Sequence, residues 1–358
     1  MTTPKSETRG RTVLVTGFPV DVARRQAREL ARGGDHVLLL ARGKFAGEAE
    51  AFAATLREGA DGGTAEVLQG DILELDLGLS GTQIRRLQNE VEEIYHVAAI
   101  SYLGIQVPRM RMVNVEGLRE TLEVALGMRK LRRICVWSTA FVAGDRKGTV
   151  YEEELLVGQH FRNAYEETKA EAEKLARAAM KKLPITIVRP SIIVGDSQTG
   201  EVSRLDGPYL LINAIVHGSG SKAVPLPGPG RYPLHVIPID YAVRAALYLT
   251  RHPDAEGGTF HLVDDQPLTA HALFDAVADA AHKPRPSTFL PGSLLRAATK
   301  LPLVRSRVRS ERNFLEWFDT DVRFDDRRAR SLLAAGGITC PPLPSYVDVL
   351  VRYVREAS

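Results

Sequence analysis

Tyr165 and Lys169, in the run Asn163-Ala164-Tyr165-Glu166-Glu167-Thr168-Lys169, put a phenol and an ammonium one helical turn apart on the same face. So placed, the ammonium can hold the phenol's proton equilibrium where acid–base chemistry needs it. Free tyrosine titrates at about 10, so bringing it to about 7 takes about 4 kcal/mol of preference for phenolate. A unit charge at ~4 Å in an effective dielectric of ~20 supplies that amount before desolvation is subtracted, which makes Lys169 the expected main influence on the phenol. The spacing alone is weak, because ten tyrosines and eleven lysines in 358 residues give about 0.3 such pairs by chance. Its surroundings make it strong.

Those surroundings begin with a short apolar run at 11–15, the turn Thr16-Gly17-Phe18-Pro19, an amphipathic helical stretch over about 20–32, and a second apolar run at 36–41 that ends in Arg42. Strand, glycine turn, helix and strand within about thirty residues form the βαβ unit that holds a dinucleotide pyrophosphate at a helix N-terminus. Further strands read at 65–69, 93–97, 133–137 and 185–188, mostly separated by helical patterns. The expectation is an α/β fold with a doubly wound parallel Rossmann sheet.

At 39.3 kDa and 44% hydrophobic residues, the chain can bury a full core and exceeds one minimal nucleotide-binding domain. A Rossmann domain is expected over 1–198, with 233–265 returning to it; a smaller, mainly helical C-terminal substrate lobe takes 199–232 and 266–358. The Pro/Gly-rich stretch 218–230 falls at the lobe's border. A net charge of +3 is too small to argue for nucleic acid. Basic residues nevertheless cluster from Lys283 to Arg312, with Glu311 the one opposing charge, as a solvated helical face, a site for an anionic carrier, or a peripheral membrane contact. Cys135 falls in a core strand and Cys340 in a loop, so neither a disulfide framework nor a metal site is expected. The polar start at 1–10 lacks a signal-peptide core and no run approaches the ~20 apolar residues of a transmembrane segment, so a soluble, cytoplasmic protein with a short disordered start is expected.

Several pieces then occur in a telling order: Thr16-Gly17-Phe18-Pro19; Arg42; Gly70-Asp71; His96-Val97-Ala98-Ala99; Asn114-Val115-Glu116-Gly117; Ser138-Thr139-Ala140-Phe141-Val142; Asn163-x-Tyr165-x-x-x-Lys169; and Arg189-Pro190-Ser191-Ile192-Ile193-Val194-Gly195-Asp196. Over its first two-thirds the chain resembles the extended short-chain dehydrogenase/reductase family, with its nearest likeness to the fatty acyl-CoA reductase and thioester-reductase (male-sterility NAD-binding) branch. The resemblance implies that Thr16, Gly17, Phe18, Pro19 and Val20 meet the cofactor, that Asp71 binds the adenine amino group beside Ile72, and that Ala98 and Ala99 line the dinucleotide. It implies further contacts from Pro190, Ser191 and Ile193, a proton-relay water organised by Asn114, and a nicotinamide ribose anchored by Tyr165 and Lys169. Thr139 best matches the family's catalytic hydroxyl, with Ser138 as its alternative; a hydroxyl at the end of a buried strand points into the ligand crevice and can donate to an oxygen gaining charge. Arg42, reinforced by Lys44, suits a ribose 2′-phosphate where NAD enzymes carry an acid, so NADPH is the expected cofactor. One departure stands out. Val20 occupies the middle glycine position of the family's turn, where its side chain is expected to crowd the pyrophosphate and Asp21 to repel it.

The branch resemblance, including Phe161-x-Asn163-x-Tyr165 and the segment from Gly195 to Gly200, favours reduction of a small-molecule or carrier-linked acyl thioester to an aldehyde or onward to the alcohol. A reductase or dehydrogenase of ketones, aldehydes or sterol-like alcohols would use the same residues; nucleotide-sugar epimerisation and a silent dinucleotide sensor are further alternatives. Acyl length, reaction direction and oligomeric state are open at this point.

Overall fold

The computed structural model describes residues 10–58, 63–102, 105–218, 226, 228, 230–288 and 320–357. The apolar runs are parallel strands covered on both faces, which is why they read as near-continuous hydrophobic stretches. They are β1 (Thr12–Thr16), β2 (His36–Ala41), β3 (Thr64–Gln69), β4 (Glu93–His96) and β5 (Arg133–Trp137). A short strand, β6 (Gly148–Val150), precedes β7 (Ile185–Pro190), β8 (Ile192–Val194), β9 (Val236–Pro238), β10 (Thr259–Leu262) and β11 (Val322–Phe324). Seven of these make one sheet in the order β10-β7-β5-β4-β1-β2-β3, every neighbouring pair parallel. The order reverses between β1 and β4, the crevice where open α/β sheets bind ligands.

Alternation along β1 divides the core. Val13 and Val15 face α1 (Asp21–Arg32), α2 (Ala46–Glu58) and, later in the chain, α8 (Ile239–Arg251). Leu14 faces α3 (Gly81–Glu90), α5 (Gly117–Leu126) and α6 (Ala164–Ala179), with the short α4 (Val107–Arg111) leading into α5. A third apolar cluster joins α7 (Tyr209–His217), α9 (Ala270–Ala281) and α11 (Val347–Glu356) to β8 and β9. Strand β9 serves two clusters at once, Val236 packing in the third and Ile237 in the first. Within the stretch expected to be mainly helical, β11 pairs with β6 ahead of α10 (Arg327–Ala335). Three-residue strands show no readable period, so this pair left no trace in the pattern.

No described helix is long and apolar enough to cross a membrane. Of the basic segment, Lys283 and Arg285 are described: Lys283 donates to the Gly218 carbonyl at 3.1 Å and Arg285 pairs with Asp279 at 2.7 Å. The rest of that segment from 289 onward, the start at 1–9 and much of 218–230 lie outside the described residues.

Helix α6 has to place the phenol and the ammonium. Asn163 caps it by accepting the Glu166 N–H at 3.0 Å, Glu166 and Glu167 sit in its first turn and Arg177 in its last, all in the sense the helix dipole favours. Its buried face nevertheless carries Lys169 and Glu173, residue types that are seldom buried unpaired. On β7, Arg189 answers Glu173 with a two-pronged ion pair, Nε to Oε2 at 2.9 Å and Nη2 to Oε1 at 2.6 Å, both side chains fully buried. Ser138, just past β5, donates to the same carboxylate at 2.7 Å, and Arg177 does so at 2.9 Å. Burial pushes Glu173 upward, but the charges of Arg189 and Arg177 outweigh it and hold the carboxyl below its ordinary range. Breaking such a pair leaves an uncompensated buried charge, which costs about 3–5 kcal/mol. Arg189→Met should therefore lower the denaturation midpoint by that equivalent in a chemical unfolding titration, whereas an unchanged midpoint would mean that the pair does not hold α6 to the sheet.

Candidate active site

Gly17, at φ +101°, ends β1 in a conformation that side chains resist, and a Cβ there would stand 2.7 Å from the Ala98 N. Close passage of the two chain segments follows from that missing side chain. Thr16 secures the same junction: its hydroxyl accepts the Ala98 N–H at 3.3 Å and lies 3.2 Å from His96 Nδ1. Fully buried, Thr16 ties β1 to β4 and is not among the residues that line the cleft.

Above this junction opens a cleft of about 280 Å³ at the strand C-termini. Gly17, Phe18, Pro19 and Val20 form one wall; Asp71 and Ile72 follow β3, and Ala98 and Ala99 follow β4. Arg42 and Lys44 close the end beyond β2, their cationic groups 5.5 and 4.6 Å from the Phe45 ring centroid. Asp71 also has a local task, since Oδ1 accepts the Leu73 N–H at 3.1 Å. A glycine turn, a helix N-terminus, cations beyond the second strand and an acid beyond the third are the groups a dinucleotide site uses.

Val20 does not disrupt the turn. Its N–H donates to the Gly17 carbonyl at 3.0 Å, and it enters α1 as an extended N-cap with its side chain 45% exposed. The Asp21 carboxylate accepts the Ser203 N–H at 2.8 Å, which binds the start of α1 to the segment after β8. The acid expected only to repel a pyrophosphate thus has a partner.

At the opposite end of the crevice the structure brings Thr139, Tyr165 and Lys169 to the tips of β5 and β7, outside the lining of that cleft. Thr139 is buried; its hydroxyl donates to the Pro190 carbonyl at 3.5 Å, accepts the Phe141 N–H at 3.3 Å, and meets the Tyr165 phenol. Burial pushes that phenol up to about 12, with the Glu166 charge acting the same way and the Thr139 hydroxyl opposing. Burial thus acts on the phenol in the sense opposite to the pull expected of Lys169. The ammonium donates to the Trp137 carbonyl at 2.5 Å, and burial brings it down from 10.5 to about 8 against the pull of Glu173. Desolvation is thus the largest influence on each group, opposed at the phenol by the Thr139 hydroxyl and at the ammonium by Glu173.

Other expected residues take different places. Asn114 lies in a π-helical turn, Met112–Glu116, where its Nδ2 donates to the Ile100 carbonyl at 3.1 Å and to the Thr168 hydroxyl at 3.0 Å, while its Oδ1 accepts the Ile100 N–H at 2.7 Å. It joins the loop after β4 to α6 through these three hydrogen bonds. The Ser138 hydroxyl donates to Glu173, whereas that of Thr139 meets the Tyr165 phenol. Ser191 donates its N–H to the Leu262 carbonyl, and its buried hydroxyl has no partner among the described residues. Pro190 contributes its carbonyl to Thr139, and Ile193 packs against the first core cluster.

Sequence reasoning missed Glu173, although its signal was present: it follows Lys169 by four residues on the same helical face. It also missed His96, whose Nδ1 faces Thr16 and which burial and the Lys169 charge push down to about 3, and Arg109 of α4, which lines the same cleft as the glycine turn.

A family of NAD-binding domains described as male sterility protein matches residues 32–246. The chain is 27% identical over 280 residues to a carboxylic acid reductase of Segniliparus rugosus, covering 69% of this chain and 23% of that protein. It is 25% identical to the fatty acyl-CoA reductase wat of Drosophila melanogaster, covering 51% of this chain and 40% of that one. The chain thus spans less than half the length of these curated relatives. Among solved structures, the terminal R domain from the myxalamid PKS-NRPS biosynthetic pathway superposes with a TM-score of 0.81 at 25% identity, covering 98% of this chain and 92% of that domain.

Proposed function

The chain belongs to the male sterility protein family of NAD-binding domains, within the fatty acyl-CoA reductase and thioester-reductase branch of the extended short-chain dehydrogenases/reductases, and from that premise we propose that it reduces an acyl thioester to the aldehyde at the expense of NADPH. The observation that carries the thioester reading is the likeness to the R domain over 98% of this chain, because it takes in the C-terminal lobe that the family match, ending at residue 246, leaves out. Acyl substrates named for the relatives point the same way, and a carrier-linked acyl group is the natural partner.

When bound, NADPH supplies the hydride that adds to the carbonyl carbon. Thr139 and Tyr165 donate hydrogen bonds to the carbonyl oxygen as it gains negative charge. A phenol held up at about 12 stays protonated throughout the working range, so Tyr165 serves as a donor without having to ionise. The oxygen's electron pair then re-forms the carbonyl while the carbon–sulfur bond breaks, and the departing thiolate takes a proton. Thioester, NADPH and one proton give aldehyde, thiol and NADP. Lys169 is held through the Trp137 carbonyl, and its proposed role is to bind the nicotinamide ribose hydroxyls beside Tyr165.

Thiol release and NADPH loss should be followed together on a panel of medium and long acyl thioesters. One NADPH per thiol indicates the aldehyde, and two indicate onward reduction to the alcohol. Turnover of a ketone or aldehyde with no signal from any thioester would contradict the reading and establish the carbonyl-reductase alternative.

The Arg42 and Lys44 end of the cleft suits a 2′-phosphate. Arg42→Ala should weaken NADPH about tenfold in a fluorescence titration and leave NADH unchanged, as expected for one partly exposed charged contact. Equal loss for both cofactors would show that Arg42 acts structurally.

Lys169 sets a pH limb. Its folded value of about 8 lies below 10.5, so the ammonium is complete well below pH 8 and is lost as pH rises through it. The kcat/KM value should fall about tenfold per pH unit above 8; a flat profile to about pH 10 would remove the ammonium from the mechanism.

A further inference from the structure

We infer that Arg109 grips the cofactor's pyrophosphate and compensates for the valine that stands in the glycine turn. The inference rests on the dinucleotide reading of the cleft and extends it to a residue outside the motifs.

Three observations meet here. Val20 puts a β-branched side chain on the cleft wall where a glycine would let phosphate approach the backbone, and as N-cap it offers no side-chain oxygen to the first-turn N–H groups of α1. Asp21, next in the chain, adds a negative charge at the same helix end, where an anion would otherwise meet only the positive end of the dipole. The glycine turn therefore keeps the geometry of a phosphate cradle while losing part of its contact and part of its field.

Arg109 on α4 lines the same space as Pro19 and Val20. Its neighbour Arg111 is paired with Glu171, but the Arg109 guanidinium has no hydrogen bond or ion pair among the described residues. Arg42 and Lys44 are the other cations on the cleft wall, and they belong to the loop after β2. The cleft thus carries positive charge from two separate elements, one for each of two phosphate groups on a single ligand. A guanidinium reaches further than backbone N–H groups and binds phosphate oxygens in a fork, so it can hold a pyrophosphate that Val20 keeps off the turn.

NADPH and NADH share the pyrophosphate and differ in the 2′-phosphate, which separates the two cationic ends. Fluorescence titration of Arg109→Ala should show both cofactors weakened by a similar factor of about ten, against the NADPH-selective loss expected for Arg42→Ala. Arg109→Lys, which keeps the charge and loses the fork, should fall between wild type and Arg109→Ala for both. Adding Val20→Gly to Arg109→Ala should restore a large part of the lost affinity by reopening the backbone approach. Because Arg109 is exposed on its helix, thermal denaturation should be unchanged, which separates lost binding from lost fold. Affinities within twofold of wild type in Arg109→Ala, or a loss confined to NADPH, would overturn the inference while leaving the dinucleotide reading intact. Failure of Val20→Gly to recover affinity would overturn the compensation, and binding of neither cofactor by the unaltered chain would overturn the underlying reading as well.

Discussion

The buried pair of Glu173 and Arg189 is the constraint on which the active end of the crevice depends. Helix α6 presents an acid and a base to the interior, and it can be buried only where the sheet returns opposite charge in matching geometry. Arg189 does so from the C-terminal end of β7, and Ser138 completes the carboxylate's shell from just past β5. Two strand ends and one helix are thereby held in a single register. Tyr165, two turns before Glu173, then meets the Thr139 hydroxyl, and Lys169, one turn before, reaches the Trp137 carbonyl. The pair contributes less as stability than as position, because a well-packed apolar substitute would bury as readily without aligning three elements.

Desolvation sets the chemistry of that end. It raises the phenol and lowers the ammonium, each against a smaller opposing contribution from a neighbour. A neutral phenol is an adequate donor to an oxyanion whose charge returns to a carbonyl when a thiolate leaves, since no proton has to remain on the oxygen. A ketone makes a heavier demand, because its alkoxide must be protonated before the product is released. The other end of the crevice works by charge instead, with Arg42, Lys44 and Arg109 on the wall and Asp71 just past β3.

How much of this could be read beforehand follows from the range of each interaction. The strands of the main sheet and their parallel order were legible because buried parallel strands leave long apolar runs, and glycine turns mark where they end. The cleft residues from Gly17 to Ala99 were legible because they sit at the strand ends that the βαβ pattern fixes. Pairings between distant short segments were not: β6 with β11 has no period to detect, and the Asp21 contact with Ser203 joins residues 182 positions apart. The desolvation of Tyr165 and Lys169 was not legible for a related reason. Spacing on a helix gives the separation of two charges but not their desolvation, and burial proved the larger effect. Asn114 and Ser138 were placed correctly along the chain, yet their partners, Ile100, Thr168 and Glu173, depend on how the elements pack.

The central claim, that hydride passes to a thioester carbonyl, is tested most directly by isotope. NADPH carrying deuterium in both positions at C4 of the nicotinamide should be turned over with an acyl thioester and the aldehyde trapped for mass spectrometry. One deuterium bonded to the aldehyde carbon is the predicted result. Aldehyde lacking the label, or thiol released with only the carboxylic acid as its counterpart, would contradict it.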